Sequence, residues 1–407
     1  MSETRTLFAA YLKDKYVKPN KIMLAMLAKS PVLGLMKKDK TLGGDYWRVP
    51  ITAVAPQGRS ATYATAKANA VGSNNKKFLV DYAPNYIIAK ITADVIDRCK
   101  GDDNALLDVL DHEMKGAMST MRRDIRCNLF GNLGGARGTI GSTSTVYLTL
   151  ANNEDSVHFE PGMEICVAAT DGTSGSLRDS GQAITLVAVN KATGVLTADE
   201  NWSEIASIAN GDYLFAQGDF GAKWSGLAGW LPATAPTSGD SFFSVDRSVA
   251  PDILAGIRYD GSGDTIEEAF INAGSLGSLF DAEATVGVLN PVKWGQLATS
   301  LQSARVEMIS PNDSQLKGKI GYKAIMVATP AGDIPIVADP GCPIDVGYEL
   351  DMDTWTAGSV GGDLVHIIDD DGLTLRRDPD TDGWLVELKS LGNFACDNPG
   401  RNVRIAL

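Results

Sequence analysis

The chain has 407 residues, 44% of them hydrophobic and 21% charged, with a formal net charge of −13. That balance is ordinary for globular proteins and excludes wholesale disorder and collagen-like or coiled-coil composition, while the length leaves room for two or three domains. The longest apolar run, Ile22 to Ala28, is far short of the ~20 residues that cross a bilayer, and the N-terminus has no signal-peptide layout, so no membrane partner is expected.

Residues 1–40 read as an arm with one or two short amphipathic helices, broken at Pro19 and Pro31. Charge is unevenly shared. Residues 1–90 hold fifteen Lys and Arg against five Asp and Glu, net +10, and the remaining 317 hold 22 against 45, net −23. An acidic body argues against duplex binding, which is driven by cationic neutralisation of phosphates. The arm's cations are interleaved with Leu7, Phe8, Tyr11, Leu12, Ile22, Leu24, Met26 and Leu27, an apolar spacing that asks for a protein surface. Three destinations stay open: the acidic body of a neighbouring copy, the arm's own body, or a nucleic acid.

Next come two extended segments, Trp47 to Val54 and Phe78 to Ile91, separated by the small, polar stretch Pro56 to Asn75. This pattern predicts a long hairpin projecting from a body. An isolated two-stranded ribbon is marginal in water, so such a projection finishes ordering against something else. Residues 102–130 predict one long helix. Leu107, Leu110, Met114, Met118, Met121, Ile125 and Leu129 fall at spacings of three and four, Asp102 or Asp103 caps the start, and Gly131 ends it. Its Met-rich stripe reads as a core face.

From Thr145 to Phe220 short alternating segments are punctuated by Pro161-Gly162, Asp171-Gly172 and Asn210-Gly211, which predicts a small barrel or sandwich inserted after the helix. Beyond a Gly- and Pro-rich crossing, α/β alternation predicts a helix over 264–280, a strand over 284–289, a helix over 291–302, and strands over 324–328 and 334–337. A Gly- and Asp-rich loop (344–363) leads to C-terminal strands over 364–368, 373–376, 384–389 and 403–407.

Chemistry is sparse. The three histidines, His112, His158 and His366, lie far apart in sequence. His112-Glu113 opens an HExxH pattern, but Gly116 stands where the second histidine belongs, so no zinc site forms locally. The stretch Gly131 to Gly141 follows a helix where a phosphate-binding glycine loop would open one, and reads as a flexible exit. Lys317-Gly318-Lys319 lacks the rest of a phosphate loop, and no GxSxG elbow occurs. Asp378, Asp380 and Asp382, in DPDTDG, reproduce the first half of a Ca²⁺ loop, but Lys389 occupies the position of the closing glutamate. An ordinary solvated turn is the competing reading. Five cysteines, odd in number and without a CxxC pair, predict reduced, mostly buried thiols in a cytoplasm. No catalytic residue and no cofactor is assigned.

The order of parts, an extended hairpin (45–92), a spine helix (102–130), the run DTIEEAFINAGSLGSLFDAEATVGVLNPVKWGQLATSL (264–301) and the ending WLVELKSLGNFACDNPGRNVRIAL, resembles the major capsid proteins of tailed bacteriophages, of the Hong Kong 97-type fold. The resemblance implies an α+β fold with an N-terminal arm (1–44), an extended loop hairpin (45–92), a peripheral domain (93–139 and 364–407), an inserted β domain (140–222) and an axial domain (223–363). It further implies self-assembly into an icosahedral shell of hexamers and pentamers, a separate scaffolding protein, a portal, packaged double-stranded DNA without sequence-specific contact, and residence in the virion after assembly in the host cytoplasm. Phe8, Leu12, Leu27, Lys67, Lys76 and Lys77 are the assembly contacts expected on this reading. Lys67, Lys76 and Lys77 also lie where crosslinking relatives carry a lysine, but no Asn or Glu partner is assigned. Another phage structural subunit, of tail or decoration type, is the first alternative, and a soluble hydrolase or binding protein the second.

Overall fold

The computed structural model describes residues 11, 30–92, 94, 103–301, 324–330, 332–369 and 374–407, with side chains of the long helix from residue 108 onward. It opens on a short helix α1 (Pro31–Leu35), started by proline at its first turn, and strand β1 (Lys37–Leu42). Strands β2 (Trp47–Val54) and β3 (Asn74–Val80) pair antiparallel, and a six-residue helix α2 (Tyr63–Ala68) lies in the loop between them. The segment expected to be continuous from Phe78 to Ile91 is broken at Asp81-Tyr82: β4 (Ala83–Thr92) leaves β3 and joins a different sheet. The long helix α3 (Asp103–Phe130) has 28 residues, about 42 Å at ~1.5 Å per residue. Leu110, Met114, Met118, Met121, Ile125 and Leu129 are all buried along one stripe, the face their spacing predicts.

Strands β5 (Gly138–Ser144), β6 (Tyr147–Leu150), β7 (Glu164–Ala168), β8 (Ile184–Asn190), β9 (Val195–Ala198) and β10 (Tyr213–Ala216) close a barrel in the order β10-β5-β6-β9-β8-β7. Its core is its own: Leu148, Ile165, Val167, Leu186, Leu196, Trp202 and Leu214 form a cluster separate from the rest. The entry is tighter than the flexible exit expected over 131–141. Residues 138–144 form a strand, and a Cβ on Gly134 would stand 1.9 Å from the Asp171 carbonyl oxygen, so glycine is there for backbone-to-backbone contact.

After the two-residue strands β11 (Ser241–Phe242) and β12 (Val245–Asp246), the chain forms β13 (Ile257–Asp260), α4 (Ile266–Ser278), β14 (Val286–Leu289) and α5 (Pro291–Leu301). Helix α4 starts on a capping box in which Thr265 and Glu268 satisfy each other's backbone amides. Then follow β15 (Ala324–Thr329), β16 (Gly332–Ala338), β17 (Val346–Leu350), β18 (Trp355–Val360), β19 (His366–Ile367), β20 (Arg376–Arg377), β21 (Gly383–Cys396) and β22 (Val403–Ala406).

Two six-stranded sheets organise the body. One runs β13-β22-β17-β14-β16-β15; the other is built on β21, which pairs with β18, β19, β20 and β4 and carries β1 beyond β18. Two expectations change here. Residues 344–363 are not a loop, because β17 and β18 lie within them, their glycines set directly against neighbouring side chains. The end of the chain, 403–407, does not close the sheet carrying the spine helix; β22 sits between β13 and β17 in the α/β sheet. Residue 373 of the expected 373–376 strand lies outside the described residues.

Candidate assembly surfaces

The β2–β3 hairpin has a dry root and a bare tip. At the root, Val49 pairs with Phe78 and Trp47 with Val80. Phe78 meets Trp230 edge-on at 5.0 Å and Phe242 at 6.2 Å, while the Leu79 amide donates to the Phe243 carbonyl at 3.0 Å. Farther out, the ladder ends at Val54–Asn74, and one bridge, Gln57 with Val71, closes the tip. There Gly58 has φ +131°, and a Cβ on it would stand 2.8 Å from the Ala70 Cα. No residue of α2 is buried, and Tyr63 is 81% exposed.

The expected contact residues divide. Lys67 is exposed in the last turn of α2, whereas Lys76 and Lys77 lie midway down β3, opposite Ile51 and Pro50, and therefore on opposite faces of the ribbon. Phe8, Leu12 and Leu27 lie outside the described residues. Tyr11 packs, half-buried, against the principal core. Where the described chain begins again, the Ser30 hydroxyl donates to Asp339 Oδ2 at 2.8 Å, both residues buried, and Val32, Leu33 and Met36 sink into the core. This clamp anchors residues 30–36 to the body.

A second exposed surface lies on the β4–β21 face turned away from the core, where Tyr86 and Ile88 stand opposite Lys389 and Glu387. Lys389 Nζ lies 6.0 Å from the Tyr86 ring centre, and Arg376 pairs with Glu387 at 2.6 Å. A third is the shoulder after α4, where Leu279 is 78% exposed beside Phe280.

Between barrel and helix lies a buried ion network that the sequence reading missed. Asp124 of α3 accepts from Arg137, from Lys223 Nζ at 2.9 Å and from Asn85 Nδ2 at 2.6 Å; Asp219 answers the same two cations at 2.8 and 3.0 Å. Burial by itself would raise the Asp124 carboxyl, but the charges of Arg137 and Lys223 outweigh it and hold it at about 2. Burial, reinforced by Arg137 and Arg126, pushes His158 down to about 3, so this histidine is neutral. The visible signal was Arg123-Asp124 set inside the apolar stripe between Met121 and Ile125, charges that a buried face admits only in pairs.

The Asp378–Asp382 segment is a turn. Asp378, buried, pairs with Lys90 Nζ at 2.7 Å and accepts from Thr381 and from the Asp380 amide, while Asp382 reaches Arg377 at 3.2 Å. The hydrogen-bonded Lys90 and Thr381 hold the Asp378 carboxyl below its usual range. With Asp378 so engaged, the three carboxylates do not converge. Among the described residues no group of three potential ligands is placed to hold a metal ion, and no helix is long and apolar enough to cross a membrane. His112 and Glu113 are exposed on α3; Cys127, Cys166, Cys342 and Cys396 are free thiols, and Cys99 lies outside the described residues.

No protein-family model and no curated protein matches this sequence. Solved structures do match. The cyanophage A-1(L) capsid asymmetric unit aligns with 92% of this chain and 92% of its own at 12% identity and a TM-score of 0.53. The capsid of the native GTA particle covers 92% of this chain and 89% of its own (7% identity, TM-score 0.42), and Mycobacterium phage Bobi covers 93% and 91% (10% identity, TM-score 0.42). The first is similar enough to define the fold. This chain has the α+β fold of a phage capsid subunit, the Hong Kong 97-type architecture that its element order resembles.

Proposed function

We propose that this chain is a major capsid protein, which assembles with copies of itself into the closed shell of a tailed phage. One observation carries the reading: on a capsid fold, a hairpin rooted in the core projects a tip that buries nothing within its own chain. A two-stranded tip of that kind gains its order from a neighbour. The role is structural, through weak contacts repeated in many hexamers and pentamers. The shell would reside in the virion, be built in the host cytoplasm on a separate scaffolding protein with a portal, and hold double-stranded DNA without sequence-specific contact. The contacts proposed are Lys67 on the hairpin tip, Lys76 and Lys77 on its two faces, and Phe8, Leu12 and Leu27 on the arm, all directed at acidic neighbouring surfaces.

Expression of the full chain, with and without neighbouring gene products, followed by negative-stain microscopy and light scattering, tests this. Closed shells are the expected product. Raising salt shortens the screening length from ~10 Å at 0.1 M to ~3 Å at 1 M and should slow assembly of a still-folded subunit. Removing residues 1–29 or reversing charge at Lys67, Lys76 and Lys77 should yield folded subunits that do not close. A monomer under all conditions, or an oligomer that stops at a ring, overturns the proposal.

A further inference from the structure

Strand β17 divides two cores, and all five of its residues are buried. Tyr348 faces Phe130 of the long helix, 6.2 Å between ring centres, whereas a Cβ on Gly347 would stand 3.2 Å from the ring of Phe270 in α4. Glu349, two residues beyond Gly347, shares the α4 face. Its neighbours across the sheet are Val403 of β22 and Gly287 of β14. Val403 lies 3.1 Å from where a Cβ on Gly277 of α4 would stand, and Phe270 3.0 Å from one on Gly287. Glu349 therefore lies beneath α4, in the layer floored by Phe270, Ala273 and Gly277. It is 0% exposed, and among the described residues neither carboxylate oxygen has a hydrogen-bond partner.

Among the described residues no cation answers it. The buried face of α4 (Ala269, Phe270, Ala273, Gly274, Gly277) is uncharged, as are Val403 and Ile405 on β22, Gly287 on β14 and Ile336 on β16. Arg404 acts on Tyr348, across the sheet, and Asp351 beyond the end of β17 is paired with Arg401 at 3.1 Å. An ionised carboxylate without partners in such a layer is costly, so the group keeps its proton. Burial alone pushes it up to about 8.

We propose that Glu349 is a proton-operated latch beneath α4: protonated, it fills a dry layer between helix and sheet; on giving its proton to solvent, it drives α4 off β17 so that water reaches the carboxylate. The exposed Leu279 and Phe280 follow α4 directly, so the latch would move that apolar shoulder with the helix. The device belongs to a single subunit and stands apart from the assembly reading.

The sign follows from linkage. The unfolded chain releases this proton in the ordinary glutamate range, near 4.5, and the folded chain retains it up to about 8, so stability falls as pH rises between those values and levels off above. Asp155, raised to about 7 by burial and by Glu154 and Asp345, adds a decline of the same sign that every Glu349 variant retains. The test uses the full-length, unassembled subunit and Glu349→Gln, compared by thermal melting and hydrogen exchange from pH 5 to 9. Protection of α4 amides, corrected for intrinsic exchange, should fall by about tenfold per pH unit between about 6 and 8 in the wild type and stay nearly level in the variant. The variant's melting temperature should also depend less on pH. Parallel profiles in the two proteins, or equal loss of α4 protection in both, overturn the proposal. Glu349→Met, read the same way, serves if the glutamine variant does not fold.

Discussion

The barrel and the projecting hairpin are both β excursions from one body, yet they are stabilised in opposite ways. The barrel leaves no free strand edge and carries its own core around Trp202 and Leu214, meeting the body through paired charges at Asp124, Arg137, Lys223 and Asp219. The hairpin has two strands and no core of its own; Val49, Ile51, Ala53, Phe78 and Val80 join the principal core, with Phe78 against Trp230 and Phe242, and among the described residues its outer half pairs only with itself. Closure makes a unit that tolerates isolation, and an open ribbon makes one that depends on what it touches.

The hairpin is most vulnerable at its root. Phe78→Ala should cost about 3–5 kcal/mol, because Trp230 and Phe242 cannot collapse into the space left, and urea unfolding of the subunit measures it. Asp124→Ala comes next, at about 3 kcal/mol. This is the lower end of the range for breaking a buried pair, since Asp219 still answers Arg137 and Lys223. The same carboxylate sets an acid limit. Its native value of about 2 lies below the unfolded 3.8, so its contribution is present above 3.8 and lost as pH falls toward 2. Acid titration of the variant should therefore show a smaller loss than the wild type over that window.

The barrel should survive excision. Replacing residues 138–216 by a short Gly and Ser linker should leave the body cooperatively folded, and the isolated barrel should give a β-type circular dichroism spectrum. A body that unfolds with the excision would mean that the two cores are one. The smallest effect belongs to the tip. Tyr63→Ser together with Lys67→Glu should change subunit stability by less than about 0.5 kcal/mol, since neither side chain is buried, while slowing shell formation by light scattering.

Much of this was legible in the sequence. Met114, Met121 and Ile125 announced the buried face of α3 because a 28-residue helix carries a long, regular period, and Asn210-Gly211 and its counterparts marked the barrel turns. What escaped were pairings between distant segments. Nothing in Val403 to Ala406 tells which of two sheets it enters, and a break at Asp81-Tyr82 is invisible where both flanking runs are apolar. Glu349 sits in VGYEL, where a solvated edge and a dry layer read alike. The ion network needs Asn85, Asp124, Arg137 and Lys223, from four stretches of chain, to converge, and only Arg123-Asp124 betrayed it.

The pairing of β4 with β21 also sets a timetable. Ten consecutive residue pairs join Ala83–Thr92 to Gly383–Gly392, so β4 is made long before its partner. At ~5–20 residues per second, that partner leaves the ribosome about 15–60 s later. Until then the sheet that backs the long helix has no central strand, and the hairpin springs from an unfinished platform. A nascent chain that stops short of β21 thus lacks the strand on which the whole second sheet is built.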